Sequence, residues 1–397
     1  MTLPGPTDNA IAARVNAVDD QIEDDGDLFA ESELAALPDA SPSKLFWRAF
    51  RKHRLAFISL IVLLLMCGVA LVPEFLAPTT PDHLHSLHAY APPQRLHVYE
   101  STPEGSRLGL YVYGYTSTVN KDTNAIRYVV DPSQRVDVGL FVRGQPYKLF
   151  GLIPSSIHLL GSMDSSQPFF LLGADANGRD LLSRLIYGTR ISLSVGLIGV
   201  LLAFVLGIVL GGLSGYFGGR VDSVVQRIIE FFMSIPTLPL WLALAAAMPL
   251  SWGSLQRYFA ITVILAIVAW TGLARVVRGR FLAMRGDEFV LAAQLDGNSV
   301  LRTTMRHMLP SFTSHLIAQL TLSIPSMIIA ETSLSFLGLG LASPAISWGV
   351  LLQAAQNLRA VSTAPWLLTP GIAVVIAVLA LNFIGDGLRD AADPYKR

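Results

Sequence analysis

The stretch Glu288–Pro310, EFVLAAQLDGNSVLRTTMRHMLP, is a polar segment placed between two long apolar runs. Its first part, Glu288–Leu295, has the pattern of a short amphipathic helix. Gly297 permits the left-handed backbone of a tight turn, and Asn298 or Ser299 can cap a second short helix. The segment is therefore predicted to be a compact helical connection rather than a flexible loop.

Apolar runs long enough to cross a bilayer dominate the rest of the chain. Of its 397 residues, 52% are hydrophobic and 15% are charged, whereas soluble domains carry about a quarter charged residues. A spanning helix needs about 20 mainly apolar residues. Six runs meet this criterion, at about 55–75, 191–213, 224–248, 258–277, 312–329 and 366–384. The predicted fold class is an all-α polytopic membrane protein with about six transmembrane helices.

Positive charge predicts the orientation of these helices. Lys44, Arg48, Arg51, Lys52 and Arg54 precede the first apolar run. Arg278, Arg280, Arg285, Arg302 and Arg306 lie in the segment 278–310. Because cytoplasmic loops are enriched in Lys and Arg, both regions are expected in the cytoplasm. Six spans then place both termini there too.

The chain divides into four predicted regions. Residues 1–43 are acidic and predicted to form a disordered cytoplasmic tail, and 44–76 carry the basic flank and the first span. Residues 77–171 contain no span, but short aromatic and β-branched patterns predict a small β-rich extracytoplasmic insert. These patterns lie at 109–115, 127–130, 136–142 and 147–152. Residues 172–397 form the core, with five spans and the cytoplasmic segment 278–310.

Several patterns in the core predict local structure. Arg179, Asp180, Arg184 and Arg190 accompany helically spaced leucines, which predicts a helix lying in the outer interface before the second span. Gly207, Gly211 and Gly215 are spaced for close helix packing in lipid. Pro236 and Pro239 predict a kink or break in the third span. The stretch 331–356 is predicted to be a re-entrant or interfacial loop.

No chemistry of the chain's own is apparent. The sequence contains no GxxxxGK[ST] phosphate loop, GxSxG elbow or HExxH zinc motif. The single cysteine, Cys67, offers no metal cluster, and His83, His85 and His88 are more typical of surface residues than of a metal site. No catalytic, cofactor or metal site is therefore predicted.

Three hypotheses remain at this point: a permease driven by partner proteins, a stand-alone ion-coupled carrier, and a non-transporting membrane scaffold. Ion-coupled carriers usually need ionisable residues at bilayer depth. The predicted spans hold few, and Glu230 and Asp386 fall near or past span ends without an obvious basic partner within the membrane. The partner-driven hypothesis is therefore favoured.

The segment 288–310 resembles the EAA loop of ABC importer permeases, whose pattern is Glu-Ala-Ala, three residues, Gly, nine residues, Ile-x-Leu-Pro. Ala292, Ala293, Gly297, Leu309 and Pro310 fall at the matching spacing, whereas Leu291 replaces the Glu and His307 replaces the Ile. Three other stretches resemble the dipeptide/oligopeptide/nickel permease family, second-subunit type. They are 172–196, 331–340 with Pro344 and 347–349, and 382–394.

The resemblance implies a type I ABC importer permease fold in a bacterial inner membrane. It also implies a homologous second permease, two cytoplasmic ATPases that bind ATP and magnesium, and an extracytoplasmic solute-binding protein. Peptides are the leading solute, with opines, sugars and nickel left open. Residues expected to couple to the ATPases are Glu288, Ala292, Ala293, Gly297, His307, Leu309 and Pro310. Residues expected at the outer gate or facing the binding protein are Glu331, Ser333, Ser335, Gly338 and Trp348.

Overall fold

The computed structural model describes residues 42–102, 105–119, 126–164, 166–249 and 251–392. The acidic tail predicted over 1–43 lies outside these ranges except for its last two residues. The final residues of the C-terminal stretch, including Asp393 and Pro394, lie outside them as well.

The described core is helical. In chain order the helices are α1 (Pro42–Lys52), α2 (Arg54–Leu71), α3 (Pro73–Leu76), α4 (Leu181–Phe217), α5 (Gly219–Ser234), α6 (Thr237–Ala246), α7 (Ser254–Met284), α8 (Glu288–Leu295), α9 (Val300–Thr303), α10 (Thr313–Phe336), α11 (Trp348–Gln353), α12 (Leu358–Thr363) and α13 (Thr369–Ala392). Five of them, α2, α4, α7, α10 and α13, are long and apolar enough to span a membrane. The pair α5 and α6 is bent by 86° at its break and adds a sixth span if counted as one.

The packing of α4 against α7 shows that the bent pair crosses the bundle. The Tyr258 hydroxyl near the start of α7 donates to Ser194 Oγ at 3.0 Å, and Phe281 near its end lies against Gly215. The two helices therefore run parallel, and Ser194 and Gly215 are about 30 Å apart along α4. The chain that connects the end of α4 to the start of α7 must therefore cross the bundle again over about 30 Å, and this connection is the pair α5 and α6. The kink predicted from Pro236 is confirmed, because the break falls at that residue.

Glycines allow α4 and α7 to approach closely. A Cβ atom built on Gly211 would lie 2.4 Å from the Ala274 carbonyl oxygen, and one on Gly215 would lie 2.7 Å from the Arg278 carbonyl oxygen. On Gly207 it would meet the Leu273 side chain at 2.8 Å. The close packing predicted from this spacing is confirmed, since a side chain at Gly211 or Gly215 would collide with backbone atoms.

The bundle has two different ends. Helix α13 starts near the insert, where Trp366 just before it donates from Nε1 to the Ala174 carbonyl at 3.0 Å, so its last residues lie at the end that carries α8. Phe50 of α1 and Ala56 of α2 pack with Ala391 there. The other end carries the β-rich insert and is called the sheet end below. The basic flank of the first span and the arginine-rich segment 278–310 therefore lie at the same end of the bundle, here called the α8 end.

The insert contains an antiparallel sheet with strand order β1-β2-β3-β4. The strands are β1 (His97–Thr102), β2 (Gly105–Val119), β3 (Ile126–Leu149) and β4 (Ile153–Ser162). The β pattern predicted at 147–152 is confirmed only in its first half, because 147–149 end β3 and 150–152 form the turn that follows. Strands β1 and β4 were not predicted.

The sheet rests on the chain that leaves the first span. His158 Nδ1 of β4 lies 2.6 Å from the Ala77 carbonyl oxygen, just after α3. Gln94 donates from Nε2 to the Tyr113 carbonyl at 3.1 Å and accepts from the Phe170 amide at 2.7 Å. These hydrogen bonds tie the sheet to both segments that connect it to the membrane helices.

Two predicted boundaries are wrong because the helices extend beyond the apolar runs from which they were predicted. Leu181 begins a helix that continues without a break to Phe217, so 179–190 is not a separate interfacial helix. This helix is about 55 Å long, which exceeds the bilayer core of about 30 Å. Similarly, α10 continues to Phe336, so the first residues of the predicted loop 331–356 are helical. Hydropathy marks where the lipid begins, but helices extend beyond it.

The packing of α4 and α7 generates a stability prediction. Gly211→Leu should destabilise the protein by about 1–3 kcal/mol or prevent its folding, because the new side chain must displace backbone atoms of α7. Gly272→Ala is the matched control, since no atom lies within 4 Å of its built Cβ. Thermal stability of both variants in detergent would be compared with that of the parent. Equal melting temperatures for Gly211→Leu and Gly272→Ala would contradict the prediction.

Candidate functional site

A cavity of about 430 Å³ opens between α4, the α5–α6 pair, α7 and α10. The break between α5 and α6 contributes to its wall through Met233, Ile235, Thr237 and Trp241. A broken helix is tolerated at membrane depth where its free backbone groups are buried in protein or line a cavity. The break therefore lies where a solute path would need it.

The polar part of the wall comes from α10. Gln319, Ser323 and Ser326 line the cavity, and Ser323 Oγ also donates to the Gln319 carbonyl at 2.7 Å. Sequence reasoning missed these three residues. Their signal is present in the sequence, since spacings of four and three place them on one face of an otherwise apolar helix.

The segment after α7 has the predicted helix–turn–helix form. Helix α8 begins at Glu288 and ends at Leu295 as predicted. Gly297 has φ +73°, and its amide donates to the Gln294 carbonyl at 3.0 Å. Ser299, rather than Asn298, caps α9 by accepting from the Arg302 amide at 3.4 Å. Asn298 instead donates from Nδ2 to the Ala293 carbonyl at 3.0 Å.

The inner face of α8 is fixed to the bundle. Val290 is fully buried in an apolar cluster with Phe281 of α7, Met308 and Phe312. Gln294 Nε2 donates to the Tyr216 hydroxyl at 3.3 Å, which joins α8 to the end of α4. Helix α8 is therefore attached to α4 and α7 and also to the segment leading into α10.

The outer face of α8 is exposed and partly apolar. Leu295 has 89% of its surface exposed, and Phe289 and Leu291 are also exposed. Ala292 lies on the exposed side, whereas Ala293 is buried against the bundle. The expectation that both alanines enter a groove of another protein is therefore wrong for Ala293. Leu295 was not predicted as a contact residue, although a leucine beside the polar Asp296–Gly297 turn signals it.

The other predicted coupling residues lie around the same cluster. Glu288 is exposed at the first position of α8, and Pro310 is exposed where the next turn begins. His307 is half-buried in a π-helical turn, Thr304–Met308, and Leu309 packs against the buried cluster. Their contacts with an ATPase stay predictions.

Comparison with known proteins gives two family matches. Residues 203–397 match the family described as the binding-protein-dependent transport system inner membrane component. Residues 41–93 match the N-terminal transmembrane domain of oligopeptide transport permease C. Between the two matched regions lie the sheet and the first part of α4.

Individual relatives agree with these matches. The dipeptide transport system permease protein DppC of Bacillus subtilis is 40% identical over 227 residues, which cover 57% of this chain and 68% of DppC. The chain belongs to the permease family of binding-protein-dependent transport systems. The oligopeptide transport system permease protein OppC of Haemophilus influenzae is 37% identical over 241 residues, covering 60% of this permease and 75% of OppC.

The family match confirms the predicted resemblance, the helical polytopic fold and the function as a membrane permease subunit of an ABC importer. It contradicts the stand-alone carrier and scaffold hypotheses.

A solved structure of the MetNI methionine ABC transporter, in inward-facing conformations, covers 53% of the permease and 96% of its own chain. Its TM-score is 0.43 and its sequence identity 20%.

The arginines predicted for the interfacial helix form clamps at the sheet end of the permease. Arg190 holds the Glu74 carboxylate through two nitrogens, at 2.6 and 2.9 Å, and so joins α4 to α3. Arg179 Nε donates to Asp175 Oδ2 at 2.8 Å. The nearly buried Arg184 also contacts Asp175. These contacts indicate a structural role in holding the first span, its connection and α4 together.

The predicted gate residues lie mainly inside the permease. Glu331, Ser335 and Trp348 are fully buried, and Glu331 Oε1 accepts from Ser335 Oγ at 2.8 Å and Ser347 Oγ at 2.7 Å. The expectation that they face a binding protein is wrong for these three. Gly338 is exposed at φ +80°, and the half-buried Ser333 bonds within α10. A gating role stays a prediction.

The remaining polar candidates have ordinary surroundings. His85 is stacked edge-on against His83 and Phe170, and burial, with a smaller effect from the neighbouring histidines, lowers the pKa of His85 to about 4. Within the described ranges, no group of three or more potential ligands could hold a metal ion. Glu230 is paired on the exposed face of α5, since Arg227 Nη1 lies 3.0 Å from its carboxylate.

The buried cap of α4 generates a prediction about pH. Asp180 Oδ2 accepts from the Ser183 amide at 2.7 Å, while the buried Oδ1 atom has no hydrogen-bond partner. Burial raises the pKa of Asp180 from 3.8 to about 6. The carboxyl group therefore contributes stability when protonated, and this contribution is lost as pH rises through about 6.

Asp180→Asn keeps the capping oxygen and removes the titration. Its melting temperature, relative to the parent, should rise steadily between about pH 4 and pH 7. Asp296→Asn, at an exposed position after α8, controls for the same substitution outside a buried site. A difference between Asp180→Asn and parent that does not vary with pH would be inconsistent with this assignment.

Proposed function

We propose that this permease pairs with a homologous subunit to form a path for peptides, and that α8 receives motion from a partner ATPase. The observation that carries the coupling role is the two-sided surface of α8. Val290 on one face is buried against the transmembrane helices, while Leu295 on the other face is almost fully exposed. A helix held in this way transmits a push as a rigid body.

Charge supports a cytoplasmic position for α8. The basic flank of the first span and the arginines of 278–310 lie at the α8 end of the bundle, so the positive-inside rule places that end in the cytoplasm. The ends of α1 and α13 packed together at this end then predict cytoplasmic termini. The sheet lies on the opposite side, where a binding protein would deliver solute across an inner membrane.

The chemistry of the cavity favours peptides. Among the described residues of its wall on this subunit none is ionisable, and the polar groups are those of Thr237, Trp241, Thr271, Gln319, Ser323 and Ser326. Hydroxyl and amide groups can bond to peptide backbones of any sequence. The same wall offers no His, Cys, Asp or Glu to a nickel ion. The names of DppC and OppC, which refer to dipeptide and oligopeptide transport, agree with this choice.

Energy must then come from the partner. The sequence has no phosphate-binding GxxxxGK[ST] motif, so ATP and magnesium are assigned to two ATPase subunits. Switching a conformational equilibrium from 1:99 to 99:1 requires about 5.5 kcal/mol of differential binding. Closure of ATPases around ATP can deliver this only if the element that joins them to the membrane helices does not yield.

The function is tested by reconstituting the permease in liposomes with its cognate second permease, ATPases and binding protein. We expect uptake of a labelled dipeptide that requires ATP and every partner. Uptake that follows an ion gradient without ATP would contradict the assignment. Uptake of a sugar or of nickel in place of the peptide would contradict the proposed solute while leaving the coupling role in place.

Leu295→Asp tests the coupling role. If Leu295 is buried in an ATPase groove, losing it costs about 1.5–3 kcal/mol, so the affinity for the ATPase should fall at least about tenfold and uptake should fall with it. Leu108→Asp is the matched control, because Leu108 in β2 is similarly exposed at 86% but lies at the sheet end. Co-purification of the ATPase and uptake would be measured for both. Normal ATPase binding by Leu295→Asp would rule out this contact.

A further inference from the structure

We propose that the hairpin formed by β3 and β4 inserts its apolar tip into the lipid leaflet at the sheet end of the bundle. The hairpin belongs to the region between the two family matches, and nothing in the transport function requires it to touch lipid. The inference rests on the composition of the tip, its backbone, its position and its charge.

The tip is apolar where a turn is usually polar. Phe150, Leu152 and Ile153 surround the turn and are exposed, with Leu152 at 81%. Tight turns favour Gly, Asn, Asp, Ser and Pro because these residues suit the backbone or bond to it. Three large apolar side chains facing outward at such a place indicate contact with an apolar phase.

The backbone conformation of the turn is also unfavourable for the residue at its first position, Phe150. Phe150 has φ +52° and Gly151 has φ +72°, and the Leu152 amide donates to the Leu149 carbonyl at 3.0 Å. A turn of this kind favours Asn before Gly, and a bulky residue with positive φ is an outlier. The presence of a phenylalanine with this unfavourable backbone conformation points to a role for its ring outside the hairpin.

The base of the hairpin lies at the end of a membrane span. The Phe141 ring of β3 is 6.1 Å from the ring of Phe75 in α3, and His158 of β4 contacts Ala77. From His158 to Leu152 the strand extends at most about 20 Å. Leu71, the last residue of the first span, is exposed like the lipid-facing residues before it, so the apolar surface of the span continues towards the hairpin.

The charge of the hairpin complements a phospholipid surface. Between residues 140 and 162 there is no Asp or Glu, and the charged side chains are Arg143 and Lys148, both exposed. Cationic side chains next to apolar ones are typical of segments that lie in a headgroup interface. The rest of β3 differs, since it carries Asp131 and Asp137. We therefore assign the lipid surface, rather than another protein, as the partner of the tip.

The test measures the depth of a fluorescent label in the assembled transporter. Cys67, the only cysteine, is first replaced by Ala, and a label is then attached at Leu152→Cys or, as a control, at Val129→Cys. Val129 is an exposed residue near the start of β3. The complex is placed in nanodiscs of phosphatidylethanolamine and phosphatidylglycerol that contain a lipid with a nitroxide near its headgroup. If Leu152→Cys does not assemble, Ile153→Cys replaces it.

We expect the nitroxide lipid to quench the label at 152 several-fold more than the label at 129, and aqueous iodide to show the reverse order, with or without binding protein. Equal quenching by iodide at both positions would overturn the proposal. Protection of the label at 152 only after the binding protein is added would also overturn it, because the tip would then dock a protein. Uptake measured on the same samples separates these outcomes from failure of transport.

Discussion

The close contact between α4 and α7 sets the rest of the architecture. Gly211 and Gly215 bring the two backbones together in parallel, which leaves α4 and α7 with their first residues at the same end of the bundle. The chain between them must therefore cross the membrane, and it does so through the bent pair α5–α6. That bend, in turn, supplies one wall of the cavity. The parallel packing of α4 and α7 thus accounts both for the returning segment and for the position of the cavity.

The same helix pair connects the exposed segment to the cavity. Phe281 of α7 packs on Gly215 and shares an apolar cluster with Val290 of α8. About two to three turns closer to the start of α7, Thr271 and Leu273 line the cavity. Because protein interiors are close-packed and pass on displacement, the proposed movement of α8 would reach the cavity wall through a single continuous helix. Both ends of the bundle also carry an ion pair between helices, Arg278 with Asp222 at the α8 end and Arg190 with Glu74 at the sheet end.

The segment 288–310 could be predicted in detail because its signals are local. An amphipathic period, a glycine at a left-handed position and a serine cap each act within a few residues, so the bounds of α8 and the turn at Gly297 agree with expectation. Which residues of α8 are buried and which are exposed could not be predicted in the same way. Ala292 and Ala293 are adjacent and identical, and only the packing of α8 against the bundle decides that Ala293 is the buried one.

Basic residues predicted to lie at a lipid interface have acidic partners instead. Arg184 and Arg190 look alike in the sequence, yet Arg184 is nearly buried and contacts Asp175, only nine residues earlier. Arg190 is paired with Glu74 across more than 100 residues of chain, and local sequence signals do not reveal such a partner. Glu331 begins the stretch predicted to be a re-entrant or interfacial loop, but it lies within α10 and its carboxyl group is buried. Ser335, one turn along the helix, and Ser347, from beyond it, each donate a hydrogen bond to Oε1 in place of water. A charge in the sequence signals exposure only when no partner comes to it, and partners such as Glu74 and Ser347 are brought by the tertiary fold.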